Sequence, residues 1–301
     1  MKDRGSSATH SEPSLTESSS APGHADAESG FGDTRHADRP GGEPQDAAIL
    51  PLRIARFLPR AIIISAMVLA GLLLVGFVYP FIGTRGRDLL NLAWSRCLLR
   101  VCGVRLIVRG LPLMQGAALV VANHVSWLDI FVINAIRPTA FVAKSEIRRW
   151  PIIGWLVAGA GTLFLQRGHR QALQTVGKAM QARFANNEPV GLFPEGTTTD
   201  GFSLLPFHGS LFEPARQADV PIQPVALRFL RHGRRDAFGA FIGEETLVGN
   251  LWRILGTRGL AVETVYLAPL AVRRGDGTSY SRQELASMAR SAIHEGLNGD
   301  S

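Results

Sequence analysis

Cysteine is almost missing from this chain: two in 301 residues, Cys97 and Cys102. Five positions apart on what reads as one helix, they match no zinc or redox spacing and build no framework of paired bridges. A disulfide-stapled miniprotein is excluded, and nothing points to an oxidising compartment. No G-x-S-x-G elbow, H-E-x-x-H helix or G-x-x-x-x-G-K-[ST] loop occurs, so serine-hydrolase, zincin and P-loop readings have no support. Gly159-Ala-Gly161 is too short a glycine pattern for a dinucleotide site, and there is no internal repeat.

Apolar residues make up 46% of the chain, enough core for one large domain or two small ones. The net charge of +7 is unevenly spread. Residues 1–50 hold four basic and nine acidic side chains, leaving 28 basic and 16 acidic side chains, or +12, for the rest. A body this basic expects an anionic partner: nucleic acid, an acidic membrane surface or phosphorylated small molecules.

Residues 1–50 read as a disordered acidic tail, because Ser, Gly, Pro and charged residues cannot bury enough surface to offset their ordering entropy. His10, His24 and His36 in it are too widely spaced for a metal site, and none is expected elsewhere. Residues 51–103 read as a membrane anchor. Within it, Ala61 to Gly83 is 23 residues without a charge, long enough as a helix to cover a ~30 Å hydrocarbon core. The stretch begins too deep in the chain and runs too long for a cleavable signal; a buried core helix is the alternative. Arginines flank it on both sides, so charge asymmetry does not orient it. Pro80, followed by an amphipathic run of Leu89, Leu90, Leu92, Ala93, Cys97 and Leu98, also allows a kinked hairpin in one leaflet.

From Val104 to the end, short β-rich runs alternate with helical patterns. Strands are expected at 104–108, 118–123, 140–143, 162–166, 190–193, 221–229 and 261–268, and helices at 170–185 and 283–294. The fold class is therefore α/β, a mixed and mostly parallel sheet flanked by helices, preceded by a membrane-embedded helix or helical hairpin. The apolar run 152–165 is too short to span and reads as a core or interfacial segment.

The densest polar cluster in apolar surroundings is Asn123-His124-Val125-Ser126-Trp127-Leu128-Asp129, where a strand meets a helix. On one helix, positions five apart are rotated by about 140°, so His124 and Asp129 meet only if His124 precedes the helix. With Ser126 as N-cap, His124 lies on the incoming loop and Asp129 in the first turn. A carboxylate can then fix the imidazole tautomer and leave the other nitrogen as a general base. The plainer alternative is that Asp129 only caps the helix. His208 and Glu213 share the same spacing, which is weak by itself. Two further clusters follow strands. Glu195-Gly196-Thr197-Thr198-Thr199-Asp200 supplies glycine and hydroxyls on a turn suited to phosphate or hydroxyl groups. Arg167 closes Gly161–Arg167, where a phosphate can be gripped.

Taken in order and spacing, NHVSWLD at 123–129, GTLFLQR at 161–167, FPEGT at 193–197 and VPIQPVAL at 220–227 resemble the four blocks of the glycerolipid acyltransferase family. Its best-known members are 1-acylglycerol-3-phosphate O-acyltransferases. The resemblance covers about 90–270, and makes 104–301 the acyltransferase domain. It implies His124 as catalytic base oriented by Asp129, with Arg167, Glu195, Gly196 and Thr197 on acceptor-binding positions. The acyl donor would be acyl-CoA or acyl-carrier protein, with no cofactor, and the acceptor a lysolipid, first of all 1-acyl-sn-glycerol-3-phosphate. The anionic membrane surface is the expected partner, nucleic acid is not, and the domain is expected at the cell membrane on its cytoplasmic side. One departure matters: many phosphatidate-forming members carry Arg after Glu-Gly-Thr, where this chain has Thr198. Lys144 or Arg167 can supply the missing cation, which keeps lysophosphatidate the first expectation. Relatives that acylate lyso-ornithine lipid resemble this pattern too, which makes that the alternative acceptor. A non-catalytic lipid-binding module and a thioester hydrolase are the alternatives in function.

Overall fold

The computed structural model describes residues 44–166, 168 and 170–299. Arg167 and the three tail histidines lie outside them. The elements begin with a long helix α1 (Pro44–Leu73), whose first residues fall within the segment expected as tail. Helix α2 (Thr84–Cys102) is followed by β1 (Val104–Gly110), β2 (Leu119–Ala122), α3 (Leu128–Asn134) and β3 (Ala140–Lys144). Then come α4 (Ile153–Gly159), β4 (Leu163–Leu165), α5 (Arg170–Ala185) and β5 (Val190–Leu192). The chain closes with α6 (Glu213–Gln217), β6 (Ile222–Arg231), β7 (Arg234–Arg235), α7 (Leu247–Leu255), β8 (Leu260–Tyr266) and α8 (Arg282–Asn298).

The strands form one sheet in the order β1-β8-β6-β2-β5-β3-β4, with β7 paired to β6. All pairings are parallel except those of β6 with β8 and β7, so the sheet is mixed and mostly parallel. β2 is the central apolar run, buried on both faces as an inner parallel strand must be. Val120 and Ala122 join Leu98 and Leu99 of α2, Val132 and Ile133 of α3 and Ile254 of α7 on one face. Leu119 and Val121 join Val176 and Met180 of α5 and Leu285 and Ile293 of α8 on the other. The run 152–165 resolves into α4 and β4, divided by a turn in which Gly161 takes φ 81°.

α1 continues through a π-turn (Leu74–Val78) and a 3-10 turn (Tyr79–Phe81), then becomes extended at Ile82. The break falls at Pro80, which has no N–H to donate and crowds the preceding turn. Arg87 closes the bend by donating to the Tyr79 carbonyl at 2.7 and 3.2 Å. The outcome is a helical hairpin. Leu50–Phe81 is long and apolar enough to cross a membrane, and almost none of it is buried.

Candidate active site

The parallel strands β2, β5, β3 and β4 all point their carboxyl ends to one edge of the sheet, the place where open α/β sheets bind ligands. His124 follows β2 there, on the loop before α3 as expected. Its Nδ1 lies 2.7 Å from Oδ2 of Asp129. The same oxygen accepts the backbone N–H of Val125 at 2.7 Å and of Ser126 at 2.9 Å. Three donors on one acceptor put the proton on Nδ1, so Nε2 is the free, basic nitrogen. Asp129 is fully buried, whereas the His124 side chain is 21% exposed and reaches solvent.

The expected cap was misplaced. Trp127 occupies the N-cap position and makes no side-chain cap bond, while the Ser126 hydroxyl has no hydrogen-bond partner among the described residues. Asp129 reaches back to the loop amides instead. One carboxylate thus fixes both the loop and the imidazole.

Glu195 lies beside His124 and is buried. It is 4% exposed and spends both oxygens on backbone: Oε1 accepts from His124 N at 2.8 Å and Oε2 from Leu205 N at 2.9 Å. Burial pushes its carboxyl above the usual carboxylate range, against the pull of those two N–H groups. Both oxygens are thus engaged by backbone N–H groups inside the protein, and the side chain ties the His124 backbone to the segment around Leu205. The Thr199 N–H donates to the His124 carbonyl at 2.8 Å, so the segment after β5 grips the histidine backbone from both sides. Gly196, at φ 73°, makes the turn that brings Glu195 and Thr199 round to His124. Thr197 and Asp200 are the exposed residues of this segment. Lys144 ends β3 on the same edge, exposed, with β5 between it and β2.

Glu195→Gln keeps one acceptor oxygen and replaces the other with an NH2 that faces a backbone N–H. The expected result is a fall in kcat of about tenfold or more with acceptor KM nearly unchanged, because the loop loosens without losing a lipid contact. A selective rise in acceptor KM, read by steady-state kinetics, would return Glu195 to the binding site.

Two parts of the site escaped the sequence reading. Asn123 bonds both backbone groups of Leu227, donating to its carbonyl at 3.1 Å and accepting its N–H at 2.7 Å, which locks the end of β2 to β6. The imidazole stacks on Phe193 at 4.2 Å between centroids, and Phe193 stacks on Phe141 at 5.1 Å. An Asn closing the apolar strand run ALVVAN was the available signal for the first; nothing in the sequence marked the second.

The acyltransferase family model matches residues 86–228, which contain His124, Asp129 and Glu195. The lyso-ornithine lipid O-acyltransferase of Pseudomonas aeruginosa is 41% identical over 180 residues, 60% of this chain and 67% of that one. The chain belongs to the acyltransferase family. Another relative in this family, the 1-acyl-sn-glycerol-3-phosphate acyltransferase of Neisseria gonorrhoeae, is 36% identical over 160 residues, 53% of this chain and 62% of that one. The acyltransferase fold is shared with the crystal structure of the 1-acyl-sn-glycerophosphate acyltransferase PlsC from Thermotoga maritima. The TM-score is 0.60 at 22% identity, over 84% of this chain and 96% of that one.

Proposed function

We propose that this acyltransferase moves an acyl group from a thioester donor to the hydroxyl of a lysolipid by direct attack, with lyso-ornithine lipid as the acceptor. Nε2 of His124 takes the hydroxyl proton as the oxygen adds to the thioester carbonyl. The tetrahedral intermediate expels the thiolate, which recovers that proton, leaving an ester and a free thiol. Asp129 stabilises the imidazolium between the two steps.

The acceptor reading rests on Thr198. In place of the arginine that many phosphatidate-forming members carry, its hydroxyl donates to the carbonyl of Phe241 and ties two loops together. The position offers a phosphomonoester no cation. Lysophosphatidate, the first expectation, is the second reading, favoured by the Neisseria relative and by the exposed Lys144 on the same edge. Membranes offered both acceptors with one labelled donor should acylate the ornithine lipid faster, and Thr198→Arg should shift the ratio toward lysophosphatidate by about tenfold. Faster acylation of lysophosphatidate by the unaltered protein overturns this choice.

We place the domain on one leaflet. Phe57, Ala61, Ile64 and Met67 of α1 pack on the core, and Gly71 fits against Trp94 and Leu156, so the helix leans on the domain along its length. A spanning pose would carry the domain's polar surface into hydrocarbon. The other face presents Ile62, Leu69, Phe77 and Phe81, and nearby α4 exposes Trp155, an interfacial residue type. The +12 body suits the anionic cytoplasmic leaflet. Protease should therefore reach the domain in inverted but not right-side-out vesicles, and Phe81→Glu with Trp155→Glu should release protein to the soluble fraction. Cleavage of α1's two ends from opposite sides would sink the one-leaflet pose.

A further inference from the structure

β6 does not stop at the active site. Past Leu227, where Asn123 clamps it beside His124, the strand runs on to Arg231. It then turns through His232 at φ 51° and Gly233 at φ 82° into β7. At ~3.3 Å per residue, Arg231 stands about 13 Å beyond Leu227. It lies on the same sheet face as Val225, Leu227 and Phe229, which share their core with Phe193, the ring under His124.

This turn is densely cationic. Arg235 is occupied by the carbonyls of Gly201 and Leu297, but Arg231 and Arg234 form no ion pair among the described residues. The Arg231 guanidinium lies 4.0 Å from the centroid of Phe238, and its buried Nε has no partner. Arg253 sits over the same ring at 5.5 Å, paired with Glu245. Exposed Arg258 is next to Gly259, whose carbonyl accepts the His232 N–H at 2.9 Å. Uncompensated guanidiniums held by a rigid turn and an aromatic ring suit phosphate.

We propose that Arg231 and Arg234, with Arg258 beside them, receive the phosphate end of the acyl donor. The assignment rests on the acyl-transfer reading above. A pantetheine arm has roughly the backbone length of four extended residues, about 15 Å from sulfur to phosphate. That length matches the run of β6 from Leu227, clamped beside the His124 loop, to the turn. The arm's phosphate is common to coenzyme A and acyl-carrier protein, and the test separates them.

The double variant Arg231→Gln, Arg234→Gln keeps a planar amide over Phe238 and removes both charges. Its kinetics are measured with palmitoyl-CoA, palmitoyl-carrier protein and palmitoyl-N-acetylcysteamine, a thioester without phosphate. KM for one or both phosphate donors should rise about tenfold or more, while turnover of the neutral thioester stays unchanged and certifies the fold. The donor that responds identifies the source. Equal loss on all three donors, or no change on any, overturns the assignment. The single variant Arg234→Gln, at an exposed side chain, should give part of the same shift. If the unaltered protein transfers from none of the three, the acyl-transfer reading falls and this assignment with it.

Discussion

His124→Ala lowers kcat by about 10²–10⁴-fold, the usual contribution of a positioned general base, while the protein folds and reaches membranes as before. The expectation follows from where the ring sits. Its Nδ1 is committed to Asp129 and its ring face to Phe193, leaving Nε2 as the uncommitted nitrogen of a partly exposed ring. The backbone of His124 is held independently of its side chain, by Glu195 on the N–H and Thr199 on the carbonyl. Alanine therefore removes the base without releasing the loop. The check is initial-rate transfer to lysolipid, with circular dichroism and membrane partition measured on the same preparations. Substantial residual turnover by a folded variant would mean that another group takes the hydroxyl proton. A glutamine variant separates this from a packing effect, since it fills part of the ring's space with no basic nitrogen.

The contact between His124 and Asp129 was legible here because it is local. His124 and Asp129 are five residues apart, and a strand end running into a helix start leaves few ways to place them. The seven strands expected from β-rich runs all form, since inner parallel strands need continuous apolar sequence, and 190–192 or 119–122 read that way without tertiary knowledge. β7 did not read as a strand because Arg234 and Arg235 carry no apolar pattern; it forms because His232 and Gly233 accept the left-handed conformations of a tight hairpin. Glu195 was placed on an acceptor-binding position by the family resemblance alone, and its backbone contacts could not be read from the sequence. Its actual partners, the amides of His124 and Leu205, are 71 and 10 positions away, and the first of these contacts appears only when β2 and β5 pair. The role of Thr198 was hidden for the same reason, since its partner Phe241 lies 43 positions on.

Asp129→Asn should cost about 10³–10⁴-fold in kcat with little loss of stability, and Asp129→Ala should lose the fold of the loop as well. The difference follows from one atom. Oδ2 accepts three donors, from His124, Val125 and Ser126, while Oδ1 is buried with no partner among the described residues. Asparagine can set its single carbonyl oxygen where Oδ2 was and keep all three bonds, with its NH2 in the space of Oδ1. The loop then survives, but the negative charge that steadies the imidazolium is gone, so the penalty falls on the transition state rather than on folding. Alanine leaves two buried amides and an imidazole N–H without an acceptor, a loss of about 2–5 kcal/mol. Thermal denaturation beside kinetics separates the roles: Asn with a near-native Tm and a collapsed kcat, Ala with both reduced. An asparagine variant that retains most activity would show that the carboxylate serves mainly to hold Val125 and Ser126, and that the imidazolium is stabilised elsewhere.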